Sequence, residues 1–449
     1  MITRRWWPPF LLGGYAAATA LWPYAAVVPL TFGAAGWLFL APHRWLLAFL
    51  CAAILLPPLP IELGDSGPHL SILIAAAGGL IGLSQLGQWR MRPGRPAVAI
   101  AAFWCVMMVS LCAAAFYSGL VIAVSSLARA LLFGISVYIY WYLTAGPAVD
   151  IDSFRWARIL FAVGSAAAAV ACVDFYYQLP PVAGFAPQYV WLDSGVFRRA
   201  QGLFYEASTL GNFCVFFLVM IAVALVKASP VPRWWLACGG CLFAAALLFS
   251  YSRGSVVNLA VALVALAVLR GRAGLPVRAV LVLGGAGAGL YWLRPDFVEL
   301  YFGRLLRSFL FFSDSPETIL SGRVYGWESL LRFVADQPRH LLFGIGYKTL
   351  PYTPFMGEPR VADNAYLSAL IEMGVAGLAA LIALNAAILR AAWRAAHAVD
   401  ARAAFFGTWI FCFWAGESVQ MLSGDLLTYW RVLPLYFWAL AMAETSDRR

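Results

Sequence analysis

Apolar runs broken by Pro, Gly and charge predict about fourteen helices. They lie near 9–22, 25–41, 45–59, 70–88, 97–116, 119–145, 156–177, 205–227, 234–250, 254–270, 278–293, 364–390, 403–422 and 428–444. A bilayer core of about 30 Å needs about 20 residues per crossing. The first three runs are therefore short: they are tilted, or the first two form one re-entrant pair, and twelve crossings is the lower count. Residues 9–22 follow a basic flank but more apolar segments come directly after, so they read as a retained anchor rather than a cleaved signal. Arg4-Arg5 lacks the rest of a twin-arginine signal.

Composition makes the membrane assignment firm. Of 449 residues, 63% are hydrophobic and 12% charged, and mean hydropathy is +0.80. Soluble domains run at about 45–50% apolar and about 25% charged. The chain is thus an all-α polytopic membrane protein. A soluble enzyme, a disulfide scaffold, a disordered regulator and a nucleic-acid partner are excluded.

Charge placement orients the helices. With the N-terminus in the cytoplasm, one side collects Arg4, Arg5, Arg44, Arg90, Arg92, Arg95, Arg155, Arg158, Lys227, Arg233, Arg270, Arg272, Arg278, Arg390, Arg394, Arg402, Arg448 and Arg449. Only Asp150, Asp152, Asp400, Glu444 and Asp447 oppose them, for a net +13 against −3 in the remainder. Every short loop obeys the positive-inside rule, so both termini are expected in the cytoplasm. The chain divides into 1–293, helices with an outer loop at 178–204; 294–363, a large outer loop; and 364–449, the C-terminal helices. The large loop carries eight basic and eight acidic residues, and its aromatic clusters and a helical stretch around 323–336 predict an ordered cap. No internal repeat is evident. All eight cysteines fall inside predicted helices; Cys238-Gly-Gly-Cys241, like Gly284 to Gly289, reads as close helix packing.

Polar groups at membrane depth are costly and point to function, and here they gather at the outer face. Phe197-Arg198-Arg199-Ala200-Gln201-Gly202-Leu203-Phe204-Tyr205-Glu206 runs from a loop into a helix start, where free N–H groups also favour anions. Ser250-Tyr251-Ser252-Arg253-Gly254-Ser255 is a tight turn with a lone arginine, for which interfacial snorkelling is the alternative. Ser321-Gly322-Arg323 sets Arg323 and Trp327 on one helix face; Arg339-His340 and Gly344-Ile345-Gly346 follow. Asp363-Asn364 opens a long helix, where capping is the competing explanation, and Glu372 lies two turns deeper. Arg129 sits mid-helix, with Asp174 as one candidate partner.

Arginines converging on one membrane face suit a diphosphate, because guanidinium forks match phosphate oxygens and keep their charge. A lipid pyrophosphate would lie where apolar helices meet the outer loop, and the arginines would stabilise the leaving diphosphate. A carboxylate or a histidine nearby could deprotonate a hydroxyl. Asp150-Ile-Asp152 has the D-x-D form of many metal-dependent glycosyltransferases, but it falls on the inner side and reads as a capping loop. Glu62 and Asp65 have no further ligand cluster. No metal and no cofactor is expected.

The strings R-x-x-G-x-F-x-E at 199–206, S-R-G at 252–254, R-x-x-x-W and G-I-G in the large loop, and D-N-x-Y-L…E-x-G-x-x-G at 363–377 resemble the O-antigen ligase and polymerase superfamily (WaaL and Wzy proteins). The resemblance covers roughly 195–380. It implies a GT-C-like, all-helical glycosyltransferase in the bacterial inner membrane with a periplasmic active site. It also implies metal-independent, inverting transfer of a glycan from undecaprenyl pyrophosphate. Arg199 and Arg253 would bind the diphosphate, and Arg323 would help hold it or the sugar; Arg198, Asn364 and His340 complete the candidate binding set. Ligases commonly carry, as the base that activates the acceptor, His where this chain has Asp363; the resemblance thus implies Asp363 as a base, with Glu206 the other candidate. The D-N form resembles polymerase-type members, so a polymerase adding to a lipid-linked acceptor is favoured over a ligase adding to lipid A–core. A chain-length regulator is a further candidate partner. A lipid-linked glycan flippase or other transporter is the reading from a different class, but the charges crowd the outer face rather than the midplane.

Overall fold

A computed structural model of the chain describes residues 43–59, 68–90, 94–146, 151–180, 187–192, 195–271, 289, 291–296, 298–299, 323–353 and 361–445. The expected helices at 9–22 and 25–41, most of 278–293, Glu62, Asp65, Asp150, Ser321 and Gly322 lie outside these residues.

The described chain is an all-α membrane bundle. Its helices are α1 (Arg44–Leu55), α2 (Leu70–Ser84), α3 (Arg95–Ser118), α4 (Leu120–Ala145), α5 (Ser153–Tyr177), α6 (Ala207–Ala224), α7 (Arg233–Phe249), α8 (Arg253–Arg270), α9 (Arg323–Asp336), α10 (Arg339–Phe343), α11 (Ala365–Ala396), α12 (Ala401–Gln420) and α13 (Leu433–Thr445). Among them α3, α4, α5, α6, α8 and α11 are long and apolar enough to cross a membrane, while α1, α2 and α7 are apolar but shorter. Polar residues at the breaks start the helices. Asp152 accepts from Arg155 N at 3.2 Å, Asp400 from Ala403 N at 2.8 Å, and Asn364 from Tyr366 N and Leu367 N at 3.0 and 3.1 Å. Each bond satisfies an N–H that the first helical turn leaves open.

α6 is the central stave, buried on nearly every side. Its Phe216 and Phe217 meet Phe243 of α7, Trp409 and Phe413 of α12, and Tyr436 of α13, with ring centroids 4.3 to 6.3 Å apart. α11 packs on α3 and α12, and α8 on α12. Within the 178–204 loop, a two-stranded antiparallel ribbon pairs β1 (Tyr189–Leu192) with β2 (Gly195–Arg198), Tyr189 opposite Arg198. Alternation in that segment was too short to stand out in the sequence.

The bundle's largest irregularity falls inside α11. The sequence reads as one unbroken helix, but Gly374 takes φ 70°, ψ −169° and divides it. The break releases carbonyls of the preceding turn. Ile345 N bonds Ile371 O at 3.1 Å and Gly346 N bonds Glu372 O at 2.9 Å, so the segment after α10 takes over the hydrogen bonding. The contact is backbone against backbone. A Cβ at Gly374 would sit 2.3 Å from Leu342 O, and one at Gly344 (φ 69°) 2.3 Å from Glu372 O. Only glycine fits at both positions.

Candidate active site

Six stretches meet at one end of the bundle: 199–206, the α7–α8 turn, the start of α9, 344–353, 363–364 and 421–431. Direct bonds tie them together. Ala200 N reaches Phe249 O at 2.9 Å, Ala365 N reaches Met421 O at 2.8 Å, and Tyr205 Oη reaches Thr428 O at 3.1 Å.

Arg199 and Arg198 point to different surroundings, as neighbours at a strand end do. Arg198 is buried and forms an ion pair with Asp174, and its backbone N–H donates to Gln178 Oε1 at 2.8 Å. Asp174 Oδ2 also accepts from Gly202 N at 3.1 Å. Asp174 thus anchors the 198–202 strip, and Arg129 reaches elsewhere: to Tyr352 Oη at 2.9 Å and over the Tyr352 ring. Arg199 instead bonds Ser250 O through Nε at 2.8 Å, linking its loop to the α7–α8 turn. Its guanidinium is partly buried. Desolvation lowers its pKa to about 10; Arg253 and Arg323 push the same way, while Tyr429 and Glu206 oppose them. It remains a cation at neutral pH. Three guanidiniums from three separate elements therefore share one electrostatic neighbourhood.

Arg253 is the first residue of α8, after a turn in which Tyr251 adopts φ 51°. Below it lies a buried polar ladder. Ser252 Oγ bonds Ser255 Oγ at 2.7 Å, and Gln420 Nε2 donates to Ser255 Oγ at 3.1 Å. Asn212 and Asn258 both donate to Glu417 Oε2, at 2.6 and 3.0 Å. These bonds join α6, α8 and α12 directly beneath the turn and hold its base in place.

Arg323 Nε donates to Asp363 Oδ2 at 3.1 Å, and Trp327 Nε1 donates to Ala362 O at 2.7 Å. One face of α9 therefore grips the two residues before the α11 cap, and Asp363 takes φ 44° there. Asn364 is occupied as that cap. His340 is buried elsewhere, stacked on Phe333 and edge-on to Tyr117, with Gln337 Oε1 3.1 Å from Nε2. Burial lowers its pKa, and the adjacent Arg339 adds to the effect.

Glu206 stands before the first residue of α6 without capping it. Ser208 Oγ donates to Glu206 Oε2 at 3.0 Å, and Ser208 in turn bonds Tyr429. Burial raises the Glu206 pKa; Ser208 and Lys348 act against that, and Asp363 and Asp425 reinforce it. Lys348 and Asp425 form an ion pair. Burial works against the Lys348 charge, but Asp425 and Glu372 outweigh it and hold the ammonium above its ordinary pKa. Glu372 is itself buried and accepts from Leu350 N at 3.3 Å.

The site thus brings together Arg199, Arg253, Arg323, Glu206 and Asp363, keeps Asn364 beside them as the α11 cap, and sets Arg198 and His340 in other surroundings. Lys348, Asp425 and Tyr429 were missed by sequence reasoning. Asp425, the one carboxylate in the mostly apolar stretch 421–435, carried the usable signal. Among the described residues no three His, Cys, Asp or Glu side chains gather as a metal-binding group.

Comparison with known proteins adds one match. Residues 238–382 fit the family model described as O-antigen ligase. No curated protein matches the chain. The matched stretch covers about a third of the sequence and contains Arg253, Arg323, Lys348, Asp363 and Glu372; Arg199, Glu206 and Asp425 lie outside it. Members of this family are glycosyltransferase-like enzymes. Across 238–382, then, this polytopic membrane protein is similar to the O-antigen ligase family, a match consistent with the O-antigen ligase and polymerase superfamily.

Proposed function

We propose that the chain is a polysaccharide polymerase of GT-C-like architecture. It moves a glycan from undecaprenyl pyrophosphate to a lipid-linked acceptor sugar on the periplasmic face of the bacterial inner membrane. The observation that carries this reading is the shared neighbourhood of Arg199, Arg253 and Arg323 around a carboxylate, Glu206. Asp363, paired with Arg323, and Glu206 offset part of this positive charge, and a further anion brought among the guanidiniums is drawn by what is left. A diphosphate is such an anion, with oxygens that match the guanidinium forks.

In the reaction, an acceptor hydroxyl oxygen attacks the anomeric carbon of the donor glycan. The bond from that carbon to the diphosphate oxygen breaks, its electron pair leaves with undecaprenyl diphosphate, and configuration inverts. Glu206 takes the hydroxyl proton. Its raised pKa makes it a stronger base than an exposed carboxylate, and Ser208 and Tyr429 orient it. Asp363, tied to Arg323, sets that guanidinium and is the second candidate base. The arginines stabilise the negative charge that grows on the leaving diphosphate, the largest electrostatic demand of the step. Arg198 serves by positioning, through Asp174, the strip that carries Arg199.

The family match is equally compatible with a second reading, a ligase that passes the glycan to lipid A–core. A product assay separates the two. Purified protein in nanodiscs receives an undecaprenyl-pyrophosphate-linked repeat with or without lipid A–core, beside an Arg253→Ala control. A ladder still on the lipid carrier, formed without core, is the expected result. Product that appears only with core makes the protein a ligase. Absence of bond formation with both acceptors, alongside movement of the lipid across the bilayer, makes it a transporter.

A further inference from the structure

A groove of about 490 Å³ opens at the end of the bundle opposite the arginine cluster, bounded by α3, α11 and α12. Its long wall is one face of α11, from Ala383 to Arg394, with Ala387 and Arg390 in the same row. At 1.5 Å per residue that wall is about 16 Å long, close to the depth of one leaflet. The composition changes along it. Ala383, Ala386 and Ala387 line one part; Arg390, Arg394 and Arg95 close the other, with Trp393 beside them and Phe411 packed on the Trp393 ring at 5.1 Å. Arg95, Arg390, Trp393 and Arg394 are exposed. Among the described residues none of the three guanidiniums has an ion-pair or hydrogen-bond partner. α3 also begins here without a side-chain cap, so its first N–H groups add to the positive field.

We infer that this groove binds an anionic phospholipid, its phosphate on Arg95, Arg390 and Arg394 and one acyl chain along the alanine wall of α11. Two features select that occupant. Three cations from two helices at one point match a phosphate diester, whereas a zwitterionic headgroup carries its own counter-charge. An apolar wall of leaflet depth, continuous with that point, fits a chain attached to the phosphate and gives a free anion nothing to bury. Trp393 sits where an aromatic ring prefers the headgroup level. The occupant would fasten the membrane half of α11 to α3 and α12, independently of the catalytic reading.

Native mass spectrometry of the full chain, released from detergent with phosphatidylglycerol or phosphatidylcholine of matched chains, tests this. Phosphatidylglycerol is expected to bind about tenfold more tightly or better. The combined Arg95→Gln, Arg390→Gln, Arg394→Gln variant, altered only at exposed positions, should bind both lipids alike. Arg155→Gln with Arg158→Gln, exposed at the same end of the bundle, should keep the preference. Ala387→Trp fills the groove with the charges intact and should weaken phosphatidylglycerol binding severalfold. Equal binding of the two lipids by the unmodified chain overturns the inference. So does a preference that survives in the triple variant, or one that the Arg155 and Arg158 pair removes equally. Unchanged binding by Ala387→Trp, or displacement of the lipid by millimolar inorganic phosphate, overturns it as well; the last would mark a site for the free anion.

Discussion

Arg253 is where geometry and charge can be separated most cleanly. Lysine keeps the charge but loses the planar fork that grips two phosphate oxygens. Arg253→Lys should therefore lower glycan transfer about a hundredfold, close to Arg253→Ala, with expression and melting temperature unchanged. Glu206 gives a prediction in pH. Burial disfavours its anion, so the base form is lost as pH falls through a point above the ordinary carboxylate range. kcat/KM should fall on that acidic limb, and Glu206→Gln should remove the limb and cost about 10²–10⁴-fold in rate. Stability moves the other way. A carboxyl with a raised pKa binds more protons folded than unfolded, so stability declines as pH rises through that window. Glu206→Gln should accordingly melt higher than the unmodified chain at pH 8. In a chain so poor in charge, arginines and carboxylates beside helix starts stand out, and so this group was legible in the sequence. The division of labour between Arg198 and Arg199 was not, because it depends on which way β2 presents each side chain. Lys348 and Asp425 escaped for another reason: their partnership spans 77 residues, and no local motif records such a distance.

At the level of elements, the apolar runs marked most of the described helices to within a few residues, since hydropathy and capping residues act locally. The break in α11 was hidden. A glycine inside an apolar run reads equally as a packing residue, and only the approach of the 342–346 backbone distinguishes the two. Gly374→Ala should cost at least about 2 kcal/mol, from the positive φ and the clash with Leu342 O. Thermal unfolding in detergent measures it. Transfer activity should drop further than stability does, because the displaced backbone carries Lys348 and faces Glu372. Gly377→Ala presses on the same joint from the other side, since its Cβ would lie 2.3 Å from Met373 Cβ and 2.9 Å from Ala369 O, and should lower the melting temperature as well.

For the whole molecule, the convergence of distant segments was anticipated by one argument, that all the charged motifs fall on the same side of the membrane. What holds that end together was not anticipated. Arg431, buried just before α13, donates to Ala53 O at 2.8 Å, to Leu56 O at 2.7 Å and to Leu203 O, and lies over the Phe204 ring. It ties the end of α1 to the strip carrying Arg199 and Glu206. Arg431→Met should strip the arginine's bonds from Ala53 O and Leu203 O, while His69 Nε2 still reaches Leu56 O at 2.9 Å, and should cost about 2–3 kcal/mol, read as a lower melting temperature; Arg199 should then become accessible to arginine-modifying reagents. The divided α11 has a wider bearing. Its short stub before Gly374 shares backbone hydrogen bonds with the 344–346 segment, while the length beyond it packs on α3 and α12. Such a joint uncouples the two parts of one helix: the stub and the segment bonded to it can tilt together as a hinged unit while the staves behind keep their packing.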